Sequence, residues 1–155
     1  MNLYLVQHAE AENEEEDKNR PITEKGAMDT KKAGEFLAKK KGFELDSIMH
    51  SGKLRSQQTA DILAVELKPA DGCWSADGLA PDADPQIWVN NLRDTNDNVM
   101  LVGHLPHLEK LASTLLVHDP AKKVINFANA GIVCLRKSPD GAWGVDFIIT
   151  PDLLA

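Results

Sequence analysis

The sequence predicts an α/β fold, a three-layer α/β/α sandwich around a mostly parallel sheet. Short apolar runs, such as residues 3–6 and 99–102, alternate along the chain with segments whose apolar residues recur at helical spacing. The runs are apolar at consecutive positions, as strands covered on both faces are. A chain of 155 residues is the size of one domain, so we expect a single domain over residues 1–155.

The first half of the chain contains two strand and helix pairs. Residues 3–6 form the first strand, and Thr23 is placed to cap a helix that runs to about Lys41, where lysines and a glycine are typical of a helix end. Residues 47–50 form a second strand. A second helix follows, with Pro69 after it, and its apolar face consists of Ala60, Leu63, Ala64 and Leu67.

The second half begins with an irregular connection, because residues 70–85 are rich in proline, aspartate, glycine and alanine. Asp84 or Pro85 opens a short helix, and residues 99–102 form a third buried strand. The helix after that strand carries its apolar face on Leu108, Leu111, Ala112 and Leu115. Residues 132–135 and 145–149 are expected to close the chain as a hairpin.

Charge and composition exclude several classes of protein. With 17 basic and 24 acidic residues the net charge is −7, and no basic stripe is present, which argues against a nucleic-acid partner. No apolar run approaches the roughly 20 residues of a membrane helix. The N-terminus shows neither a signal nor a transit peptide, so a cytoplasmic protein is expected. Cys73 and Cys134 are most simply buried thiols.

Polar side chains with catalytic potential follow three strands. His8 comes after the first strand, Ser51 and Arg55 after the second, and His104 after the third. Ligands of open α/β sheets bind beyond the carboxyl ends of the strands, where helix N-termini favour anions. Two imidazoles and a guanidinium in one crevice suit phosphoryl transfer through a histidine, because a neutral imidazole can attack phosphorus while cations stabilise the oxygens.

Four motifs in this order resemble the histidine phosphatase superfamily. They are LVQHAEA at residues 5–11, RPITEKG at 20–26, SGKLRSQQT at 51–59 and VGHLP at 102–106. The order and the short chain look most like the small SixA-type phosphohistidine phosphatases, whose fold is phosphoglycerate mutase-like. Together the motifs span most of the chain and are more specific than any one of them alone.

The resemblance implies a role for each matching residue. His8 would be the nucleophile that becomes phosphorylated, Arg55 would clamp the phosphoryl oxygens, and His104 would add a donor opposite. Arg20 would be a further phosphate contact, unless it simply pairs with a carboxylate of the acidic run at residues 10–17. Ser51 is a substrate-binding candidate that could equally close the turn into its helix. No metal and no organic cofactor are implied.

Gln7 departs from the family pattern, which places an arginine directly before the nucleophile. An amide can donate hydrogen bonds to substrate but brings no charge and no guanidinium fork. Losing one such donor typically costs about 3 to 4 kcal/mol of barrier. Arg20, Arg55 and a protonated His104 are expected to compensate in part, which leaves full, reduced or absent activity open.

The substrate class rests on the leaving group. Expelling an alkoxide needs a general acid, whereas phosphohistidine leaves as an imidazole with an unperturbed pKa of about 6.5. The chain offers only Asp77, Asp82 and Asp84 in a short loop where an acid would be needed. This favours a phosphohistidine-bearing protein as substrate. A phosphomonoesterase for a small metabolite and a non-catalytic phosphate-binding module remain the alternatives.

Other chemistries fit the sequence less well. His104 and His107 are three residues apart, but Pro106 lies between them and the glutamate of a zinc helix is missing. Neither cysteine has an arginine six residues later, as cysteine phosphatases require.

The acidic run at residues 10–17 holds six carboxylates and is expected to be a solvated loop, which could also repel acidic substrates or recognise a basic partner.

Overall fold

Strands and helices alternate through most of the chain. The computed structural model describes residues 1–154. Its strands are β1 (Asn2–Gln7), β2 (Ser47–His50), β3 (Cys73–Ser75), β4 (Val99–Gly103), β5 (Ile132–Lys137) and β6 (Trp143–Ile149). Its helices are α1 (Glu24–Ala38), α2 (Leu54–Leu67), α3 (Gln86–Arg93) and α4 (His107–Val117), followed by a 3₁₀ turn at Pro151–Leu153.

The six strands form one sheet in the order β3-β2-β4-β1-β5-β6. Strands β3, β2, β4 and β1 are parallel neighbours, whereas β5 runs antiparallel to β1 and β6 antiparallel to β5. The predicted mostly parallel sheet and the closing hairpin are both confirmed. Because each of the four parallel strands is followed by a helix in the chain, the carboxyl ends of the strands and the helix N-termini share one edge of the sheet.

Alternating side chains of β1 enter two separate cores, one on each face of the sheet. Leu3 and Leu5 pack with residues of α3 and α4, and Tyr4 and Val6 pack with residues of α1 and α2. All four side chains are essentially inaccessible to solvent. The consecutive apolar positions of β1 therefore reflect burial on both faces, and the predicted three-layer sandwich is confirmed.

The predicted elements differ from the structure in two places. Thr23 caps α1 as expected, accepting a hydrogen bond from the amide of Gly26 at 2.9 Å, but the helix ends at Ala38 rather than near Lys41. Residues 70–85, expected to be irregular, contain the short strand β3. This strand lies at the sheet edge with its side chains partly exposed, so it lacks the apolar pattern of an inner strand.

A close contact at Gly26 fixes where α1 begins relative to the segment after β1. A Cβ atom at this position would meet the backbone carbonyl oxygen of Glu10. The amide of Thr23 donates to the same carbonyl at 2.8 Å, so the cap residue also depends on this approach. Glycine is required here for space, while its φ is ordinary.

No helix of residues 1–154 is long and apolar enough to cross a bilayer.

We expect Gly26→Ala to destabilise the protein by about 1 to 3 kcal/mol, because the added methyl group must displace backbone. The matched control is Gly144→Ala, where an added Cβ meets no atom within 4 Å; it should change stability by less than about 0.5 kcal/mol. Urea unfolding of both variants measures the difference. Equal stabilities for the two variants would contradict the proposed close contact.

Candidate active site

His8 and His104 lie side by side because their strands are parallel neighbours. Gln7 at the end of β1 is in register with Gly103 at the end of β4, and each histidine is the next residue of its chain segment. The backbone N–H of His8 donates to the carbonyl of Gly103 at 3.0 Å. The two ring centroids are 5.1 Å apart. The structure thus brings together the two histidines that the sequence placed at separate strand ends.

The His8 ring has its proton fixed on one nitrogen. Nδ1 lies 2.8 Å from the carbonyl oxygen of Ala9, which can only accept, so Nδ1 donates and the neutral ring keeps its lone pair on Nε2. Burial lowers the pKa of His8, the Ala9 carbonyl partly opposes this, and the cations of Arg55 and Arg20 lower the pKa further. A neutral imidazole with a free Nε2 is the form that can act as a nucleophile.

Hydrogen bonds connect the His8 segment to two other elements. The amide of Ala9 donates to Oγ1 of Thr59 at 2.9 Å, and that hydroxyl donates to the carbonyl of Arg55 at 2.8 Å. Nδ2 of Asn129 donates to the carbonyl of His8 at 2.8 Å. Sequence reasoning missed Asn129. The signal was the antiparallel β5, since the loop before such a strand ends at the edge where β1 ends.

Arg55 and Arg20 approach each other at the mouth of the crevice. Arg55 lies in the first turn of α2, and its Nε is buried with no partner among residues 1–154. Burial lowers the pKa of Arg55, repulsion by Arg20 lowers it further, and Glu14 opposes both. Nε of Arg20 donates to the carbonyl of Glu12 at 2.9 Å. Within the described chain neither guanidinium pairs with a carboxylate at 4.0 Å or less, so an anion between them would relieve their repulsion.

These two arginines line a cavity of about 510 Å³ with a cationic wall. Its lining residues are Glu14, Lys18, Asn19, Arg20, Lys53, Leu54 and Arg55. Four cations therefore face one carboxylate. Most carboxylates of the acidic run at residues 10–17 lie outside this lining; Glu10, for example, is 3.9 Å from Lys25. The acidic run therefore contributes one carboxylate to this cavity, whose excess of cations favours an anion.

Without an anion in the crevice the neutral form of His104 is favoured, whereas the expectation above is a protonated ring beside a phosphoryl group. The residue is 1% exposed, and burial, followed by repulsion from His8 and Arg55, lowers its pKa to about 3. Its Nε2 is 2.6 Å from Oγ of Ser51, and the same hydroxyl is 2.7 Å from Oγ of Ser56. Ser51 thus contacts His104 directly. Sequence reasoning did not single out Ser56.

Gln7 occupies the last position of β1, adjacent to His8. Its backbone carbonyl accepts a hydrogen bond from the amide of Ala130 at 3.0 Å. Its side-chain Oε1 is buried and has no partner among residues 1–154. The side chain is half-buried and carries no charge, so it adds no cation to the crevice.

The carboxylates considered as general acids lie elsewhere. Asp77, Asp82 and Asp84 are exposed and do not line the cationic cavity. Asp84 instead accepts a hydrogen bond from the amide of Gln86 at 2.9 Å, at the start of α3. The described residues contain no group of three or more histidine, cysteine, aspartate or glutamate side chains that could hold a metal ion.

Known proteins resemble this chain in sequence and in fold. A family model described as histidine phosphatase superfamily (branch 1) matches residues 3–73. An uncharacterised protein of Picosynechococcus sp. is 33% identical over 144 residues, which cover 88% of this chain and 85% of the relative.

Two solved structures share the whole fold. The protein histidine phosphatase SixA complexed with tungstate has a TM-score of 0.84 at 20% identity and covers 99% of both chains. The alpha-ribazole phosphatase from Shigella flexneri has a TM-score of 0.78 at 12% identity and covers 97% of both chains. At these identities the similarity concerns the fold.

Buried histidines make stability depend on pH, and the lowering of the pKa is largest for His104 and His107. Burial lowers the pKa of His104 to about 3 and that of His107 to about 4, against about 6.5 in an unfolded chain. Below pH 6.5 the unfolded chain binds protons that the folded protein does not, so stability is full above that pH and falls as the pH falls toward 4. At pH 5 the loss is on the order of 2 kcal/mol for each histidine.

Urea unfolding between pH 7.5 and 5 tests this dependence. The variant His107→Leu should lose stability less steeply with acid than the wild type, because one of the two groups is gone. The exposed His118 provides the control, and His118→Asn should keep the wild-type slope. An unchanged slope in His107→Leu would show that this histidine is not responsible.

Proposed function

This chain belongs to the histidine phosphatase superfamily and is a phosphatase hydrolase, and on that premise we propose that it transfers a phosphoryl group to Nε2 of His8 and then to water. The observation that carries the proposal is the geometry of His8. Its Nδ1 is held by the carbonyl of Ala9, which leaves Nε2 with a lone pair beside two guanidiniums and a second imidazole.

The first step forms a bond from Nε2 of His8 to phosphorus and breaks the bond from phosphorus to the leaving atom. Negative charge on the equatorial oxygens is stabilised by Arg55 and Arg20, whose mutual repulsion favours an anion between them. Water then attacks the phosphohistidine: its oxygen forms a bond to phosphorus as the bond from phosphorus to Nε2 breaks, His8 departs as a neutral imidazole, and the proton that water loses passes to the phosphate product or to solvent. The carbonyl of Ala9 keeps the His8 ring in one orientation through both steps.

We propose a phosphohistidine side chain on a protein as the substrate class. An imidazole is a good leaving group near neutral pH and needs little help from a general acid. Among residues 1–154 the only carboxylate lining the cationic cavity is Glu14, which is exposed and lies in the acidic run. The open cavity is also accessible to a side chain presented by a partner protein. The fold similarity to SixA, described as a protein histidine phosphatase, supports the same choice.

A small-metabolite phosphomonoesterase is the second candidate. The fold similarity to an alpha-ribazole phosphatase and the presence of Glu14 in the cavity lining favour it. In such an enzyme Glu14 would have to donate a proton to the alkoxide. A third candidate, a phosphate-binding module without turnover, rests on Gln7 alone.

We expect His8→Gln to abolish turnover, because the amide cannot form a covalent phosphoryl intermediate. Wild-type enzyme quenched during turnover should carry one phosphoryl group that is labile to acid and stable to base. Peptide mass spectrometry after quenching locates the group. The conservative control His118→Gln should leave the adduct unchanged, and an active His8→Gln enzyme would rule out the mechanism.

We expect Gln7→Arg to raise kcat/KM by about 100-fold, since it restores a charge beside the phosphoryl oxygens. The control Gln7→Lys restores charge without the planar fork and should give a smaller gain. A measurable wild-type rate together with this gain indicates a slow enzyme. No activity in wild type or Gln7→Arg with either a phosphohistidine peptide or a sugar phosphate would favour the phosphate-binding module.

Glu14→Gln separates the two substrate classes. For a phosphohistidine peptide we expect the kcat of this variant to stay within about twofold of wild type, because no proton donor is needed. A phosphomonoesterase that uses Glu14 as its acid would instead lose about 100-fold or more on sugar phosphates. Glu15→Gln, which removes a carboxylate outside the cavity lining, controls for the change in net charge. Faster wild-type turnover of sugar phosphates than of the peptide would contradict our choice.

A further inference from the structure

Two buried or half-buried serines form a chain of hydroxyl groups that ends on His104. Oγ of Ser51 is 2.6 Å from Nε2 of His104 and 2.7 Å from Oγ of Ser56. Ser56 is inaccessible to solvent, and its hydroxyl is also placed to donate to the carbonyl of Lys53 at 3.0 Å. Each of the two short contacts must contain a hydrogen atom. The direction in which the two hydroxyl groups donate therefore determines which nitrogen of the neutral His104 ring carries the proton.

Only two arrangements of the hydrogen atoms place one hydrogen in each of the two short contacts, and they differ in the direction in which the groups donate. In one, Nε2–H of His104 donates to Ser51, Ser51 donates to Ser56, and Ser56 donates to the carbonyl of Lys53. In the other, Ser56 donates to Ser51 and Ser51 donates to Nε2, which leaves the proton of the neutral ring on Nδ1. The second direction gives up the hydrogen bond from Ser56 to the Lys53 carbonyl. It leaves no acceptor unsatisfied, because that carbonyl already accepts from the backbone amides of Ser56 and Gln57 at 3.0 and 2.9 Å.

The remaining nitrogen of the ring distinguishes the two directions. Nδ1 of His104 is buried and has no partner among residues 1–154, so it is the nitrogen left for a phosphoryl oxygen. The first direction gives Nδ1 a lone pair, which would repel such an oxygen, whereas the second gives it an N–H that can donate. A second proton on the ring is opposed by burial and by Arg55 and Lys53. The neutral ring must therefore be the donor.

We propose that Ser51 and Ser56 are positioning residues whose hydroxyl chain donates to Nε2 of His104 and holds this neutral ring as an Nδ1–H donor to the phosphoryl group. This inference rests on the proposed function, which puts a phosphoryl group next to His104. Under this proposal the two histidine rings offer complementary groups to the phosphoryl group, one a lone pair and the other an N–H. The carbonyl of Ala9 holds the proton of His8 and leaves a lone pair for attack, while Ser51 occupies the lone pair of His104 and leaves a proton for binding.

Nitrogen NMR of ¹⁵N-histidine-labelled protein tests the proposal, because the shifts of the two ring nitrogens report which of them is protonated. Spectra are recorded at pH 7 with and without tungstate, and His104→Gln assigns the His104 signals. We expect protonated Nδ1 and unprotonated Nε2 in both states. A proton on Nε2 in the tungstate complex, alone or together with one on Nδ1, overturns the proposal.

The same spectra separate this proposal from the proposed function. If tungstate leaves the signals of His8 unchanged, the phosphoryl site itself is wrong, whatever the His104 tautomer. If tungstate shifts the His8 signals while Nε2 of His104 is protonated, the phosphoryl site stands and the hydroxyl chain is wrong.

Variants of Ser51 provide the kinetic test. Ser51→Ala removes the donor to Nε2, so we expect mixed tautomers of His104 and a kcat for phosphohistidine peptide about 10 to 100-fold lower. Ser51→Thr keeps the hydroxyl and should restore both the tautomer and most of kcat. Unfolding midpoints verify that each variant is folded. Wild-type kcat and a single Nδ1–H tautomer in folded Ser51→Ala would overturn the role of Ser51.

Discussion

The parallel pairing of β1 with β4 is the constraint on which the rest of the site depends. It places Gln7 opposite Gly103, and the next residue of each segment is a catalytic histidine of the proposed mechanism. A register shift by one residue would turn the side chains of β1 to the opposite faces of the sheet. Leu3 and Leu5 on one face and Tyr4 and Val6 on the other oppose such a shift, because all four are fully buried in different cores. The packing of the strand thus determines the distance between the two rings.

Burial then sets the charge of each group around that pair. Desolvation keeps His8 and His104 neutral, which suits a nucleophile and a neutral donor. In the proposed mechanism the positive charge that holds the phosphoryl group is left to Arg55 and Arg20. Because Gln7 supplies none, the proposed mechanism assigns to these two guanidiniums more of the stabilisation than a site with an arginine at that position would need from them. The electrostatic balance of the crevice therefore favours an anion while leaving its histidines uncharged.

Much of this arrangement could be predicted from the sequence, because strand ends and helix starts are marked by local patterns. His8, Arg55 and His104 follow buried apolar runs, and the rule for parallel sheets brings such positions to one edge. Strand β3 could not be predicted, since three partly exposed residues at an edge show no apolar period. Asn129 was missed because it reaches His8 from a loop 121 residues later in the chain, before an antiparallel strand.

The charge state of His104 was beyond sequence reasoning for a different reason. Its pKa depends on desolvation and on the cations around it, which are properties of the assembled site. The same holds for Ser56, whose hydroxyl matters only because the start of α2 brings it within 2.7 Å of Ser51. Local patterns thus identify the elements and the chemical groups, whereas tertiary packing determines their protonation and their partners.

A crystal structure with vanadate tests the central claim most directly, because vanadate adopts the geometry of a phosphoryl group in transfer. The account predicts vanadium bonded to Nε2 of His8, with its equatorial oxygens within hydrogen-bond distance of Arg55 and of Nδ1 of His104. Vanadate bonded to another side chain, or bound outside the crevice between β1 and β4, would contradict it.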